Sequence, residues 1–295
     1  MKNIAFFIVM LFSVMTFSQE KLEEVKVESK KKGIVKSVSK ISNTSVVTSK
    51  ELLKAACCNL AESFETNPTI DVNFSDALTG TKQIKMLGLT SPYILISEEN
   101  IPSVRGASQA YGLSFTPGTW VESIQITKGA GSVVNGYESI SGQINTELIK
   151  PLKDIPFFLN VYGATDSRFE LNTHFNKRVS DYWSTSLFVH GNTRVAKNDM
   201  NDDGFLDNPL GKQINLTNRW QYTNPKSGWV TFLNLRYMKD DKQSGEINFD
   251  PDRDKLTTNY WGSEITTERI DFTSKVGYVF KDMPFQSIGF QNAFS

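Results

Sequence analysis

From Pro156 to the last residue the chain alternates apolar and polar positions with period two. In FELNTHFNKRV, Phe169, Leu171, Thr173, Phe175 and Val179 fall on one face, and Glu170, Asn172, His174, Asn176 and Arg178 fall on the other. The stretches FFLNVYGA, WSTSLFVHGNTR, QINLTNRWQY, WVTFLNLRYM, RIDFTSKVGYVF and SIGFQNAF repeat the habit. Strict alternation predicts β-strands with one apolar and one polar face. Seven strands are expected, each near the ~9–11 residues that a tilted strand needs to cross a bilayer.

The connections sharpen this picture. VSDY, TNPKSG and KDMP are short, whereas Val195–Lys212 and Asp240–Thr266 are long and polar. Tyr182, Trp183, Trp220, Tyr222, Trp229 and Tyr237 stand near strand ends. Short turns alternating with long loops, and aromatic residues at the strand ends, are features of an antiparallel outer-membrane β-barrel. A soluble β-sandwich tolerates the alternation but gives no reason for the aromatic girdle.

Before Pro156 the period changes. In SKELLKAACCNLAESFE, Leu52, Leu53, Ala56, Leu60 and Phe64 lie at helical spacing behind Ser49 as N-cap, which predicts a helix from 49 that Pro68 ends. TIDVNF, KQIKML, YILIS, WVESIQITKG and SGQINTEL follow as short strands between Gly, Pro and Ser turns. Residues 49–151 are therefore expected to form a small mixed α/β domain, followed by barrel strands over 152–295. Residues 19–48 are Lys-rich and lack a packable face, which predicts a mobile segment.

The first eighteen residues hold Lys2 and an apolar run from Ile4 to Phe17. The run is too short for a membrane helix and reads as a secretory signal peptide cut before Gln19. The chain carries 32 Lys+Arg and 32 Asp+Glu. This balance argues against nucleic acid as a partner, which would call for a basic excess. No nucleophile elbow, zinc pair or phosphate-cradling loop is evident in the sequence, so no enzymatic role is expected.

WVESIQITKGAGSVVNGYESISGQINTELIKP resembles the end of the plug domain of TonB-dependent outer-membrane receptors. Val121, Glu122, Ile124, Ile126, Lys128, Gly129, Gly136, Gly142, Ile144 and Asn145 carry the match. LTSPYILISEENIPSV is similar to the plug's apolar strand and Asp-Gly turn, and LEEVKVES sits where the family carries its TonB box. Four positions depart from the pattern. Leu87-Gly88 replaces Arg-Gly, Glu98–Asn100 replaces the Asp-Gly turn, Gly129-Ala130 replaces Gly-Pro, and Asn135-Gly136 replaces Tyr-Gly. The family's arginine-dependent ion network is therefore not expected in its usual form.

The resemblance implies an import mechanism. Substrate binds from outside between plug and wall, and TonB, with its inner-membrane energising complex, pulls the plug aside. Glu23, Glu24, Val25, Lys26 and Val27 are the expected TonB-binding residues, since a mobile extended segment can add to a partner's sheet edge. Family barrels have twenty-two strands, which at ~10 residues each need about 220 residues. Only 140 follow Ile155 (295 − 155), so the chain is expected to be an N-terminal part. The rival expectation is a receptor remnant that binds or signals without transport.

Two further groups are candidate metal ligands. Cys57 and Cys58 are the only cysteines. Adjacent cysteines rarely form a disulfide, because their Cα atoms sit ~3.8 Å apart, below the usual range. They are either small packing residues or a soft pair for copper as cargo, with Met86 as a third donor. Asp199, Asn201, Asp203 and Asp207 occupy positions 1, 3, 5 and 9 of an EF-hand-like loop, with Gly204 at position 6, so a structural Ca²⁺ is a possible reading there. No resident cofactor is required. Outer-membrane lipid and a small molecule or metal chelate are the remaining expected partners, with a glycan or vitamin as the alternative cargo.

Overall fold

In this computed structural model the described residues are 34–36, 44–52, 59–64, 67, 70–74, 82–131, 133–134, 136–152, 155–283 and 285–295. They form three sheets. The largest contains β9 (Phe157–Gly163), β10 (Arg168–Arg178), β11 (Trp183–Arg194), β12 (Leu210–Asn224), β13 (Trp229–Gly245), β14 (Gly262–Val279) and β15 (Ser287–Phe294). These seven strands pair antiparallel in chain order. Before them, β1 (Ile34–Lys36), β2 (Thr44–Thr48), β5 (Ile94–Glu98), β6 (Ile101–Pro102), β7 (Val121–Lys128) and β8 (Gly142–Leu148) build a mixed sheet in the order β1-β2-β7-β8-β5-β6. Only β5 and β8 run parallel. A small hairpin, β3 (Asp71–Phe74) with β4 (Lys82–Lys85), completes the set.

The seven-stranded sheet is inverted relative to a soluble protein. Phe169, Leu171 and Phe175 on β10 are exposed, while Glu170, Asn172, His174 and Asn176 on the same strand are buried. Its polar face is turned inward against the mixed sheet, and its apolar face is turned out, which suits lipid on the outside. Aromatic rings cluster at the short-turn end: Trp183 packs on Tyr222 at 5.1 Å and Trp220 at 6.2 Å, and Trp229 packs on Tyr278 at 5.1 Å. Among the described residues no helix is long and apolar enough to cross a membrane.

The mixed sheet has an ordinary apolar core. Val47, Leu60, Phe64, Ile84, Met86, Ile94, Ile96, Ile124, Ile126 and Ile144 are all buried together. At ~25 cal/mol per Å² of apolar area removed from water, this cluster is the main stabilising element of the domain.

Three expectations need correction. The helix from Ser49 is shorter among the described residues: α1 covers Ser49–Leu52, and a separate 3₁₀ turn covers Glu62–Phe64. Asn59 starts that second turn by accepting a hydrogen bond from the Glu62 N–H at 3.1 Å, as an N-cap does. Leu52, Leu60 and Phe64 are nevertheless buried as the spacing suggests. The stretch 19–48, read as mobile, contributes β1 and β2 to the sheet, because β2 pairs with β7 and buries Thr44 and Val47. The long loops are also shorter than expected: β13 continues to Gly245 and β14 begins at Gly262, so the strands extend well past the length a bilayer requires.

Candidate functional site

The mixed sheet and the strand wall meet across an interface of charged and aromatic side chains. The turn between β5 and β6 is central. Glu99 and Asn100 both have positive φ, +52° and +65°, as a two-residue type I′ hairpin requires. Neither is glycine, so this turn carries local strain of about 1 kcal/mol or more. The Asn100 N–H donates to Asn145 Oδ1 at 2.7 Å, and the Glu99 N–H donates to the Thr146 carbonyl at 2.8 Å, which holds the turn in place.

The turn's carboxylates meet cations from the wall. Glu99 pairs with Arg219 of β12 at 2.5 Å and with Lys150 at 2.6 Å. Lys275 of β14 donates to the Glu99 carbonyl oxygen. Glu98 receives Arg236 of β13, whose Nη2 donates to both carboxylate oxygens at 2.9 and 3.0 Å. Burial alone would raise the Glu99 pKa, but the Arg219 and Lys150 charges and their hydrogen bonds outweigh it, and the net value falls from 4.5 to about 2. An ion network does exist here, then, but with carboxylates on the inner domain and guanidinium groups on the wall.

An aromatic contact reinforces it. Trp120, which precedes β7, is almost fully buried and packs on Phe188 of β11 at 5.4 Å. Its edge meets His190 at 6.5 Å, and the Arg236 guanidinium lies over its ring at 5.8 Å. His174 and His190 both point inward and are buried. His174 stacks on Phe158 at 4.9 Å, and His190 shares a 2.7 Å hydrogen bond with Asn172. Both rings are thus engaged in packing and hydrogen bonding on the wall.

At the loop end of the strands a half-open cavity of about 210 Å³ lies between the inner domain and the wall. Glu62, Phe74, Lys82 and Ser114 line it from the inner domain; Arg168, Arg194, Gln213, Asp240 and Lys242 line it from the wall. Arg168 bridges the two by pairing with Glu62 at 3.0 Å, and Lys242 does so by donating to Ser114 Oγ at 3.3 Å.

The residues singled out from sequence fall in different places. Glu23, Glu24, Val25, Lys26, Val27, Cys57 and Cys58 lie outside the described residues. Met86 is sealed in the core of the inner domain, its thioether against Gly142, where an added Cβ would come within 2.6 Å of Sδ. Asp199, Asn201, Asp203 and Asp207 do curl into one loop. Asp199 accepts from the Asp203 and Gly204 N–H groups at 3.1 and 2.9 Å, and Asp207 accepts from the Met200 N–H at 2.8 Å. Their oxygens are thus engaged with the loop's own backbone. Among the described residues no three His, Cys, Asp or Glu side chains are grouped to hold a metal.

The wall cations Arg219 and Arg236 were not singled out from sequence. The only signal was an arginine at an inward position of an alternating strand, which has no partner until the fold supplies one.

Residues 37–143 match the TonB-dependent Receptor Plug Domain model. No curated protein matches the chain in sequence. Among solved structures it is similar to P. aeruginosa FpvA bound to a heterologous pyoverdine and iron, with TM-score 0.66 and 14% identity over 84% of this chain and 33% of that one. It is also similar to the ferric yersiniabactin uptake receptor FyuA of Yersinia pestis, with TM-score 0.63 and 12% identity over 81% and 39%. The copper transporter OprC gives TM-score 0.59 and 13% identity over 84% and 35%. The chain thus spans little more than a third of the length of these structures. Residues 37–143 are thus a plug domain of the TonB-dependent receptor kind, and the seven-stranded wall that follows has the fold of the first barrel strands of these structures.

Proposed function

We propose that this chain serves energy-coupled import of a scarce substrate across the outer membrane, with a metal chelate favoured as cargo. The observation that carries this is the cavity at the loop end, lined jointly by plug and wall, above a plug that the Glu98–Glu99 turn ties to the wall. A ligand there touches both parts at once, so its binding can bias how the plug is held. The siderophore and copper proteins among the structural relatives favour a metal-containing cargo. TonB is the proposed partner, gripping Glu23, Glu24, Val25, Lys26 and Val27 as an added strand. Pulling from that side reaches β1 and β2 first, which pair within the plug sheet at its edge. The residues expected to act are binding and coupling residues, not catalytic ones.

The test is Val25→Pro in the receptor expressed in its own outer membrane. Proline removes an N–H and fixes φ, which breaks strand addition. Protonophore-sensitive uptake of the cognate chelate is expected to be lost while cell-surface binding is retained. Unchanged uptake would remove the TonB assignment.

A further inference from the structure

The inner face of the wall carries a second hollow, at the short-turn end and away from the loop-end cavity. Two rows of residues across β13, β14 and β15 form it. Val230, Gly277 and Gly289 stand in register, and so do Phe232, Lys275 and Gln291. Residues two apart on a strand share a face, and Lys275 reaches the Glu99 carbonyl oxygen of the plug, so both rows face inward. The hollow is half-open and holds about 310 Å³. Glycine makes the space. Gly277 and Gly289 sit side by side within paired strands, where glycine is unfavourable. The backbone does not demand them, because neither has positive φ. Close packing does not demand them either, because a Cβ added at either one would meet nothing nearer than 3.8 Å. Their missing side chains leave a flat floor bordered by Val230 and the Phe232 ring. The charge beside this floor is one-sided. Arg219 and Lys150 are committed to Glu99, and Lys150 also to Glu147. Lys275 donates instead to a neutral carbonyl, and among the described residues the lining includes no carboxylate.

We propose that this hollow is a binding site for a small aryl carboxylate. The ring lies on the Gly277–Gly289 floor against Val230 and Phe232, and the carboxylate takes the Lys275 ammonium in a charge-assisted hydrogen bond, which is stronger than the bond to a neutral carbonyl. An uncharged ring would gain the floor without the ammonium, and a bare carboxylate the ammonium without the floor. The site lies on the wall below the plug turn, apart from the loop-end cavity, and its recognition chemistry does not depend on which cargo that cavity takes.

Binding is measured by calorimetry on the receptor in phosphatidylcholine nanodiscs, with the signal of empty nanodiscs subtracted. The probes are 4-phenylbutyrate, the uncharged 4-phenylbutanol, and acetate. The phenylbutyrate is expected to bind at one site, at least about tenfold tighter than either control, and to weaken several-fold as salt rises from about 0.05 to about 0.5 M. Lys275→Met keeps an apolar stem and removes the charge, so it should bring the phenylbutyrate down to the affinity of the alcohol, and Lys275→Arg should restore it to within several-fold of wild type. Gly289→Leu fills the floor and should abolish binding. Its position is exposed and open, so the fold is retained, with an unchanged β-sheet circular dichroism spectrum as the check. No binding of phenylbutyrate to the wild-type receptor, equal binding of acid and alcohol, wild-type affinity in Lys275→Met, or undiminished binding in Gly289→Leu each overturns the proposal.

Discussion

The Glu99 carboxylate of the plug and the Arg219 guanidinium of β12 form a 2.5 Å ion pair across the plug–wall interface, 120 residues apart in the chain. Lys150 holds the same carboxylate oxygen, and Arg219 also donates to the Ile149 carbonyl at 3.0 Å. Arg219 is 3% exposed, so the pair is screened little by solvent. The consequence is that breaking it from one side leaves an uncompensated buried charge.

The pH dependence follows from the lowered pKa. A carboxyl group moved from 4.5 to about 2 contributes stability that is fully present above 4.5 and lost as pH falls toward 2. At 1.36 kcal/mol per pKa unit the contribution is about 3 kcal/mol. Urea titrations of the purified receptor at pH 6, 4 and 2.5 should show wild-type stability dropping through this window. Glu99→Gln should start lower at pH 6 and change less between pH 4.5 and 2.5. A variant curve parallel to wild type would show that Glu99 carries no such load.

Trp120 is expected to be the plug's apolar anchor on the wall. Trp120→Ala empties the space against Phe188 and removes the ring under Arg236, which should cost about 3–5 kcal/mol. Trp120→Phe keeps an aromatic ring and should cost less. The functional readout is leakage: cells carrying the Ala variant should become more sensitive to bulky hydrophilic antibiotics, and the Phe variant should lie between it and wild type. Equal sensitivity of all three would place the anchoring elsewhere.

How much of this was legible in the sequence depends on the range of the interaction. The wall strands were legible because period-two alternation is local and repeats seven times, so Phe169 and Glu170 could be assigned to opposite faces from neighbours alone. The plug's last third was legible from Val121, Ile124, Ile126 and the following glycines. The Glu98–Arg236 and Glu99–Arg219 pairs were not, because nothing local links residues 138 and 120 positions apart. β1 and β2 were missed for a related reason. Thr44 and Val47 gain their burial only from β7, eighty residues later. The helix was overextended because Asn59 looks like an ordinary helical position until its side chain caps a new turn.

The Asp199–Asp207 loop is expected to be held by its own carboxylates. Asp199 accepts two backbone N–H bonds and Asp207 accepts one, so Asp199→Ala leaves two donors without partners and should loosen the loop, at a cost of about 1–2 kcal/mol locally. Protease cutting between 195 and 209 on intact cells should accelerate several-fold. We propose Ca²⁺ as a further stabiliser of this loop. Wild-type cutting should then speed up with chelator and recover with added Ca²⁺, while the Asp199→Ala variant is indifferent to both. Equal wild-type rates with and without chelator would leave the loop to its hydrogen bonds alone.

The last prediction concerns Met86 and the cysteine pair. Met86 is 1% exposed among Ile84, Ile94 and Ile144, and its methyl end rests where a Gly142 Cβ would be, at 2.4 Å. A thioether used in this way fills volume. To bind metal it would have to leave the core, open a cavity and displace the strand contacts of β8, a cost of several kcal/mol. Cys57 and Cys58 are therefore proposed as a copper pair without Met86. The reduced receptor should bind Cu(I) at about one equivalent per chain, Cys57→Ser with Cys58→Ser should abolish this, and Met86→Leu should leave the affinity within about twofold, since the swap conserves volume and costs under ~1.5 kcal/mol. Gly142→Ala, by contrast, pushes a methyl group into the Met86 side chain and should destabilise the plug by about 1–3 kcal/mol without touching copper affinity. A Met86→Leu receptor that unfolds like wild type but loses Cu(I) would put the thioether back in the site. Failure of the reduced wild-type receptor to compete copper from a chelator would leave both cysteines as packing residues.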